Sequence, residues 1–136
     1  SLPVPYVASA STDKINFEAW RAFWHGGYGY WSTALWATTG WLKIDLGAGN
    51  EKRVQHYSIK GCYTQSPKDW TFEYSDDDVT WYVGDTRVNQ VMNDCSILHF
   101  YNYINVASPH RYYRLNITAN AGDPGGVVVL DWGLYE

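Results

Sequence analysis

The stretch WLKIDL, Trp41 to Leu46, decides how this chain is read. In it Leu42, Ile44 and Leu46 share one face of an extended backbone while Lys43 and Asp45 share the other. That period of two belongs to a strand with one side buried, because successive side chains of a strand point to opposite faces. The pattern recurs outward along the chain. VQHYSIKG at 54–61 places Tyr57 and Ile59 together, WTFEYS at 70–75 places Trp70, Phe72 and Tyr74 together, and RYYRLNIT at 111–118 does the same with Tyr113, Leu115 and Ile117. Further strands are expected at 6–10, 80–86, 97–106 and 126–135, separated by the turn-forming runs GAGN, SDDD and AGDPGG. One helical stretch is expected at 16–22, with Asn16 as its N-cap ahead of FEAWRAF. Strands of this number and spacing with one short helix predict an antiparallel sandwich or barrel.

The 136 residues are the size of one domain, large enough to bury a core. The opening SLPVPY is spaced by prolines, so residues 1–5 read as a linker remnant and the chain as part of a larger multidomain protein. No apolar run approaches the roughly 18 residues of a membrane span, so membrane insertion is not expected. Ten Lys and Arg stand against 14 Asp and Glu, a net charge of −4, and the basic residues cluster only at EKR, 51–53. Nucleic acid and anionic membranes need clustered positive charge and are poor partners for such a surface. The aromatic content of 18%, with 8 Trp and 12 Tyr, points to a binding surface as well as a core, since Trp and Tyr offer sugars an apolar face and a polar edge. Cys62 and Cys95 allow one bridge or none, and so sparse a pair leans toward free thiols in strands.

No catalytic constellation emerges, and the chain is not expected to be an enzyme. Histidines at 25, 56, 99 and 110 lack zinc-ligand spacing, and neither G-x-S-x-G nor a phosphate-cradling G-x-x-x-x-G-K is present. His56 and His99 read as outward-facing or hydrogen-bonded strand residues. Asp76, Asp77 and Asp78 fall in a hairpin turn, where Asp suits the geometry by itself. The Asn116-Ile117-Thr118 sequon lies within a strand. The irregular stretch 23–40, rich in Gly, Trp and Tyr, has the length of a functional loop, and its GGYGY run at 26–30 reads as flexible.

VASAS at 7–11, WRAF at 20–23, YWST at 30–33, GWLKIDLG at 40–47, KDWTFEYSDDDVTW at 68–81, RYYRLNITAN at 111–120 and the closing VVVLDWGLYE resemble, in order and spacing, the discoidin or coagulation factor V/VIII C-type domain. The nearest flavour is the family 32 carbohydrate-binding module. The resemblance spans 1–136 and implies a single all-β domain, an antiparallel β-sandwich of jelly-roll, galactose-binding-like type with one short helix. In that fold Trp41, Trp70, Trp81 and Tyr113 are expected in the core. The implied function is non-catalytic: a carbohydrate-binding module that attaches a larger secreted enzyme or a phage tail or receptor-binding protein to a glycan, placed extracellularly, whether secreted, on a cell surface or on a virion tail. The alternative is an adhesion module for a protein or phospholipid surface, for which STDKIN at 11–16 offers only Lys14 and Ile15.

The resemblance puts the ligand where strand connections meet at one end, here 12–16, 33–39, 62–69 and 119–125. The carbohydrate-binding residues expected there are Trp36, Tyr63, Gln65, Lys68, Asn120, Asp123 and Asp13, with Trp36 as the stacking face and Gln65, Lys68 and Asn120 directing hydrogen bonds to hydroxyls. Galactose binders of the family carry a His after the YW pair and an Arg before the KDW-like strand. This chain has Ser32 and, near the second position, Thr64 and Gln65. Trp24, His25, Tyr28 and Tyr30 form a second aromatic patch. The family also binds a structural calcium through an Asp that is here Trp24, leaving Asp131 nearly alone, so no metal and no cofactor is expected.

Overall fold

The computed structural model describes residues 1–25 and 29–136. Ten strands follow in order: β1 Val7–Ala10, β2 Trp31–Ser32, β3 Gly40–Asp45, β4 His56–Lys60, β5 Pro67–Ser75, β6 Tyr82–Arg87, β7 His99–Tyr101, β8 Tyr112–Asn120, β9 Val128–Val129 and β10 Asp131–Tyr135. They form an antiparallel five-stranded sheet, β1-β3-β8-β5-β6, a three-stranded sheet, β10-β4-β7, and the pair β2-β9. The WLKIDL alternation is realised as read. Leu42 pairs with Leu115 and Ile44 with Tyr113, all pointing inward, while Lys43 faces Arg114 on the outer side.

The sheets pack through aromatic rings. Tyr57 of β4 stacks on Phe72 of β5, centroids 4.5 Å apart and 5° from parallel, and Trp132 of β10 meets Phe72 edge-on at 6.3 Å. Trp31 and Val129 of the β2-β9 pair join the same core. A polar thread through it is satisfied: Trp70 Nε1 donates to the Tyr57 hydroxyl at 2.9 Å, which donates to Asp85 at 2.7 Å, and Arg87 closes on that carboxylate at 2.8 Å. Burial and the Asp85 acceptor push the Tyr57 hydroxyl far above its ordinary pKa, so it stays protonated and donating.

Several expectations are corrected. The helix shrinks to a 3-10 turn, Ala19–Phe23, because Asn16 sits at φ 71°, in a tight turn where Phe17 N–H reaches the Lys14 carbonyl, and so cannot cap. The strand at 97–106 is ordered as a strand only over His99–Tyr101, and 126–135 divides into β9 and β10 where Leu130 N–H turns to the Lys60 carbonyl. Cys62 and Cys95 are bonded to one another, not free. Trp70 and Tyr113 are core, but Trp41 and Trp81 lie half-buried on the outer face beneath Lys43 and Arg114, the latter 4.1 Å from the indole centroid. The alternation itself requires this of Trp41, whose neighbour Leu42 points inward. His56 stacks on Tyr135, while His99 shares the inward side with its partner Ile59 and leaves Nε2 buried with no partner among the described residues.

Candidate functional site

Strand directions bring five connections to one end of the sandwich: residues 11–17, 33–39, 61–66, 88–98 and 121–127. Backbone bonds lace them side by side. Thr12 Oγ1 accepts from Ala34 N–H, Gly125 O from Trp36 N–H, Thr64 O from Asp123 N–H, and Met92 O from Tyr63 N–H. The Cys62–Cys95 bond ties the third connection to the fourth. Such cross-bonds pair backbone groups that irregular chain would otherwise leave to water, and they help it hold a shape.

Between the third and fourth connections lies a cavity of about 460 Å³, within the range of small-molecule sites. Tyr63, Thr64, Lys68, Asn89, Gln90, Val91, Met92, Asn93 and Ala121 line it. Amides, a hydroxyl, a phenol and an ammonium beside a thioether and an exposed valine make a mixed polar and apolar wall. A second cavity, about 360 Å³, is lined at the opposite end of β3 by Leu2, Ile44, Leu46, Val54, Trp132 and Leu134. Pro3, Tyr6, Phe23, His25, Lys52, Tyr135 and Glu136 complete its wall, away from the end where the five connections meet.

The expected residues separate on this geometry. Tyr63 and Lys68 line the cavity. Trp36, 74% exposed, is not on its lining: it lies on the second connection, with the fifth bonded between the second and the third. Asn120 is spent on its own loop: its amide nitrogen donates to Asp123 O at 2.6 Å and Gly126 O at 2.8 Å, and its oxygen accepts from Gly122 N–H, so it is a clasp and not a donor to ligand. Asp123 likewise accepts from Gly125 N–H at 2.7 Å. Gln65 lies in the 3-10 turn Tyr63–Gln65 without lining the cavity. Asp13 belongs to the first connection, where desolvation raises its carboxyl pKa against hydrogen bonds from the Trp31 indole and the Ala19 amide. Ser32 is buried in β2 and bonded to Thr33 O.

The fourth connection, with Asn89, Gln90, Val91, Met92 and Asn93, supplies most of the cavity wall and was not among the expected loops. Its signal was the amide-rich run VNQVMND ahead of Cys95. Reading the cysteines as free removed the reason to place that run beside Tyr63.

Backbone strain marks the same end. Five non-glycine residues have positive φ, and four of them, Asn16, Trp36, Tyr63 and Asn89, fall one to each of the first four connections. Asn tolerates this region, but for Trp36 at 72° and Tyr63 at 51° it is unusual.

Of the second aromatic patch, Tyr28 lies outside the described residues, as do 26–28 of the GGYGY run. Tyr30 stacks on Phe17 at 4.5 Å and Trp24 is 51% exposed. His25 Nδ1 lies 2.8 Å from Asp131 Oδ2. The described residues here do not fit a calcium ion, since an indole stands at one ligand position and the single carboxylate is engaged by an imidazole. Among the described residues no three His, Cys, Asp or Glu gather as a metal site, and no helix is long and apolar enough to cross a membrane.

No protein-family model matches the sequence, and no curated protein sequence does. Solved structures match over nearly the whole chain. Chitosan-binding module 1 of a chitosanase/glucanase from Paenibacillus sp. IK-5 superposes with TM-score 0.78 at 21% identity, covering 96% of this chain and 94% of that one. The family 32 module of NanJ from C. perfringens, solved with galactose, gives 0.77 at 14% identity over 96% and 93%. The family 32 module of AlyQ, solved with 4,5-unsaturated mannuronic acid, gives 0.74 at 15% identity over 96% and 94%. The chain therefore has the galactose-binding-like β-sandwich fold of family 32 and related carbohydrate-binding modules.

Proposed function

We propose that this domain is a non-catalytic carbohydrate-binding module whose ligand is held by the laced loop end. The observation that carries the reading is that two bulky aromatics, Trp36 and Tyr63, are kept in left-handed backbone and largely exposed, 74% and 59%, at that end. Such backbone costs on the order of 1–3 kcal/mol per residue and persists where surrounding structure imposes it, commonly at ligand sites. A plugged core end would bury the rings. Instead one ring, Tyr63, lines a cavity walled with amides and the other, Trp36, stands exposed at the same end, which offers flat apolar faces and hydrogen-bonding groups of the kind that a pyranose ring with its hydroxyl edge requires. The comparison modules were solved with or named for sugars, and one derives from a chitosanase/glucanase, which supports attachment of a larger protein to a glycan. The Cys62–Cys95 bond suits an oxidising, extracellular setting.

One observation favours the adhesion reading: Ile15 and Leu35, 85% and 60% exposed, crown the same end beside Trp36, as a lipid-dipping surface would. A glycan array run alongside sedimentation with phosphatidylserine vesicles separates the two. Selective glycan signal that falls in Trp36→Ala is expected. Vesicle binding without any glycan signal would replace the sugar reading by the lipid one.

A further inference from the structure

The cavity beside Tyr63 is charged with one sign. Lys68 is the only charged side chain on its lining, and the carboxylates nearest in sequence, none of which lines it, are engaged by loop amides. Asp69 accepts from Asn89 N–H at 2.8 Å, Asp94 from Ser96 N–H at 2.8 Å and Asp123 from Gly125 N–H at 2.7 Å. The rest of the molecule treats its cations differently. Six of the ten Lys and Arg side chains form salt bridges, Arg53 binds the Val106 carbonyl, and Lys14 lies over the Phe17 ring. Only Lys60 and Lys68 have no such partner among the described residues. Lys60 lines a cavity that also holds Asp131, so charge of both signs is present there. At Lys68 it is not.

We infer that the saccharide held at this end carries an anionic substituent, a carboxylate or a sulfate, seated against Lys68 with the Asn89, Gln90 and Asn93 amides beside it. This rests on the reading of the loop end as a sugar site. Lys68 is a half-buried residue, and an anion with amide groups around it gives its ammonium a charge-assisted partner that a neutral hydroxyl does not. An amino sugar would bring a second ammonium into the same low-dielectric wall and be repelled. The overall charge of −4 does not forbid an acidic ligand. At physiological salt the screening length is about 8 Å, so the charge lining the cavity outweighs charge spread over the far surface.

The test is titration calorimetry of the intact domain against four probes of matched length: an oligouronate, a sulfated oligogalactan, a neutral oligogalactan and chitotriose. At low salt, one or both anionic probes are expected to bind roughly ten-fold more tightly than the neutral one, and which of them does so distinguishes carboxylate from sulfate. The advantage should vanish at high salt and in Lys68→Met, and persist in Lys68→Arg, with melting temperatures of both variants matching the parent. Neutral or cationic probes binding as tightly as the anionic ones, or an anionic preference intact in Lys68→Met, would overturn the assignment while leaving sugar binding in place. No binding to any of the four would overturn the sugar reading beneath it.

Discussion

At the end that carries the turn 76–81, charged side chains are consumed by the fold. Asp77 accepts from the Val79 and Thr80 amides, Asp78 takes Lys43, Asp76 takes His110, and Asp45 takes Arg111 in a two-bond fork. At the opposite end the backbone groups are laced together just as thoroughly, yet Lys68 is unpaired among the described residues and Trp36 and Tyr63 stand in water. Among the described residues Asp78 is the only left-handed non-glycine residue at the first end, and four occupy the second. Both ends are irregular chain rich in polar and aromatic residues. The difference is in where their bonding capacity points, inward at one end and outward at the other, and a surface whose donors point outward is built for a partner.

The contrast can be broken or sharpened by experiment. The largest effect is expected in the core that both ends share: Trp70→Ala deletes a 1%-exposed indole and the hydrogen bond that the Tyr57 hydroxyl accepts from it, at a cost of about 3–5 kcal/mol in denaturant unfolding. Next is the double variant Cys62→Ser and Cys95→Ser. Releasing a bridge across 33 residues should cost roughly 3–4 kcal/mol on the chain-entropy model and weaken ligand binding as well, because the cavity wall moves with it. Stability lost without any loss of binding would show that the fourth connection is not part of the site. Trp36→Ala should weaken glycan binding by about ten-fold while changing stability by under about 1 kcal/mol. Trp36→Gly should bind as poorly and be the more stable of the two, since glycine relieves the positive φ.

The remaining effects are smaller. Arg111 above all holds the Asp45 carboxyl below its ordinary pKa, and the Thr80 amide leads in doing the same for Asp77. A depressed carboxylate contributes stability that is complete above its unfolded value, near 4, and lost as pH falls through the folded one. Acid should therefore loosen the 76–81 end first, seen as early exchange of the Val79 and Thr80 amides, and equal early loss at both ends would erase the contrast. The smallest effect is a null. EDTA should leave the melting temperature unchanged, because His25 occupies the carboxylate of Asp131; a drop of several degrees would show a calcium ion held by other oxygens.

How far the chain could be read in advance follows from the range of each signal. Strand alternation is local, so Leu42, Ile44, Phe72, Tyr113, Leu115 and Ile117 were placed inward correctly from the chain alone, and the Asp-rich turn was read from residues that bond one another within it. That Tyr63 and Lys68 lie at the loop end, where they line a cavity, was also legible, through a loop whose place in the fold was implied by resemblance. Asn120 was not, because an amide in a loop looks the same whether it faces a ligand or clasps its own backbone. Nor was the 88–98 connection, whose place depends on a bond to a cysteine 33 positions away. His99 failed for the same reason: its inward orientation is set by pairing with Ile59.

By itself, then, the sequence determined the alternation, the turns and thus an antiparallel sandwich with an aromatic core, since these depend on each residue and its nearest neighbours. Which loops meet, which amides are already spent, and that a lone ammonium is left facing a cavity were decided only by the tertiary structure. Those properties belong to pairs of residues brought together across the fold, and hydrogen bonding and charge act over a few ångströms of space regardless of distance along the chain.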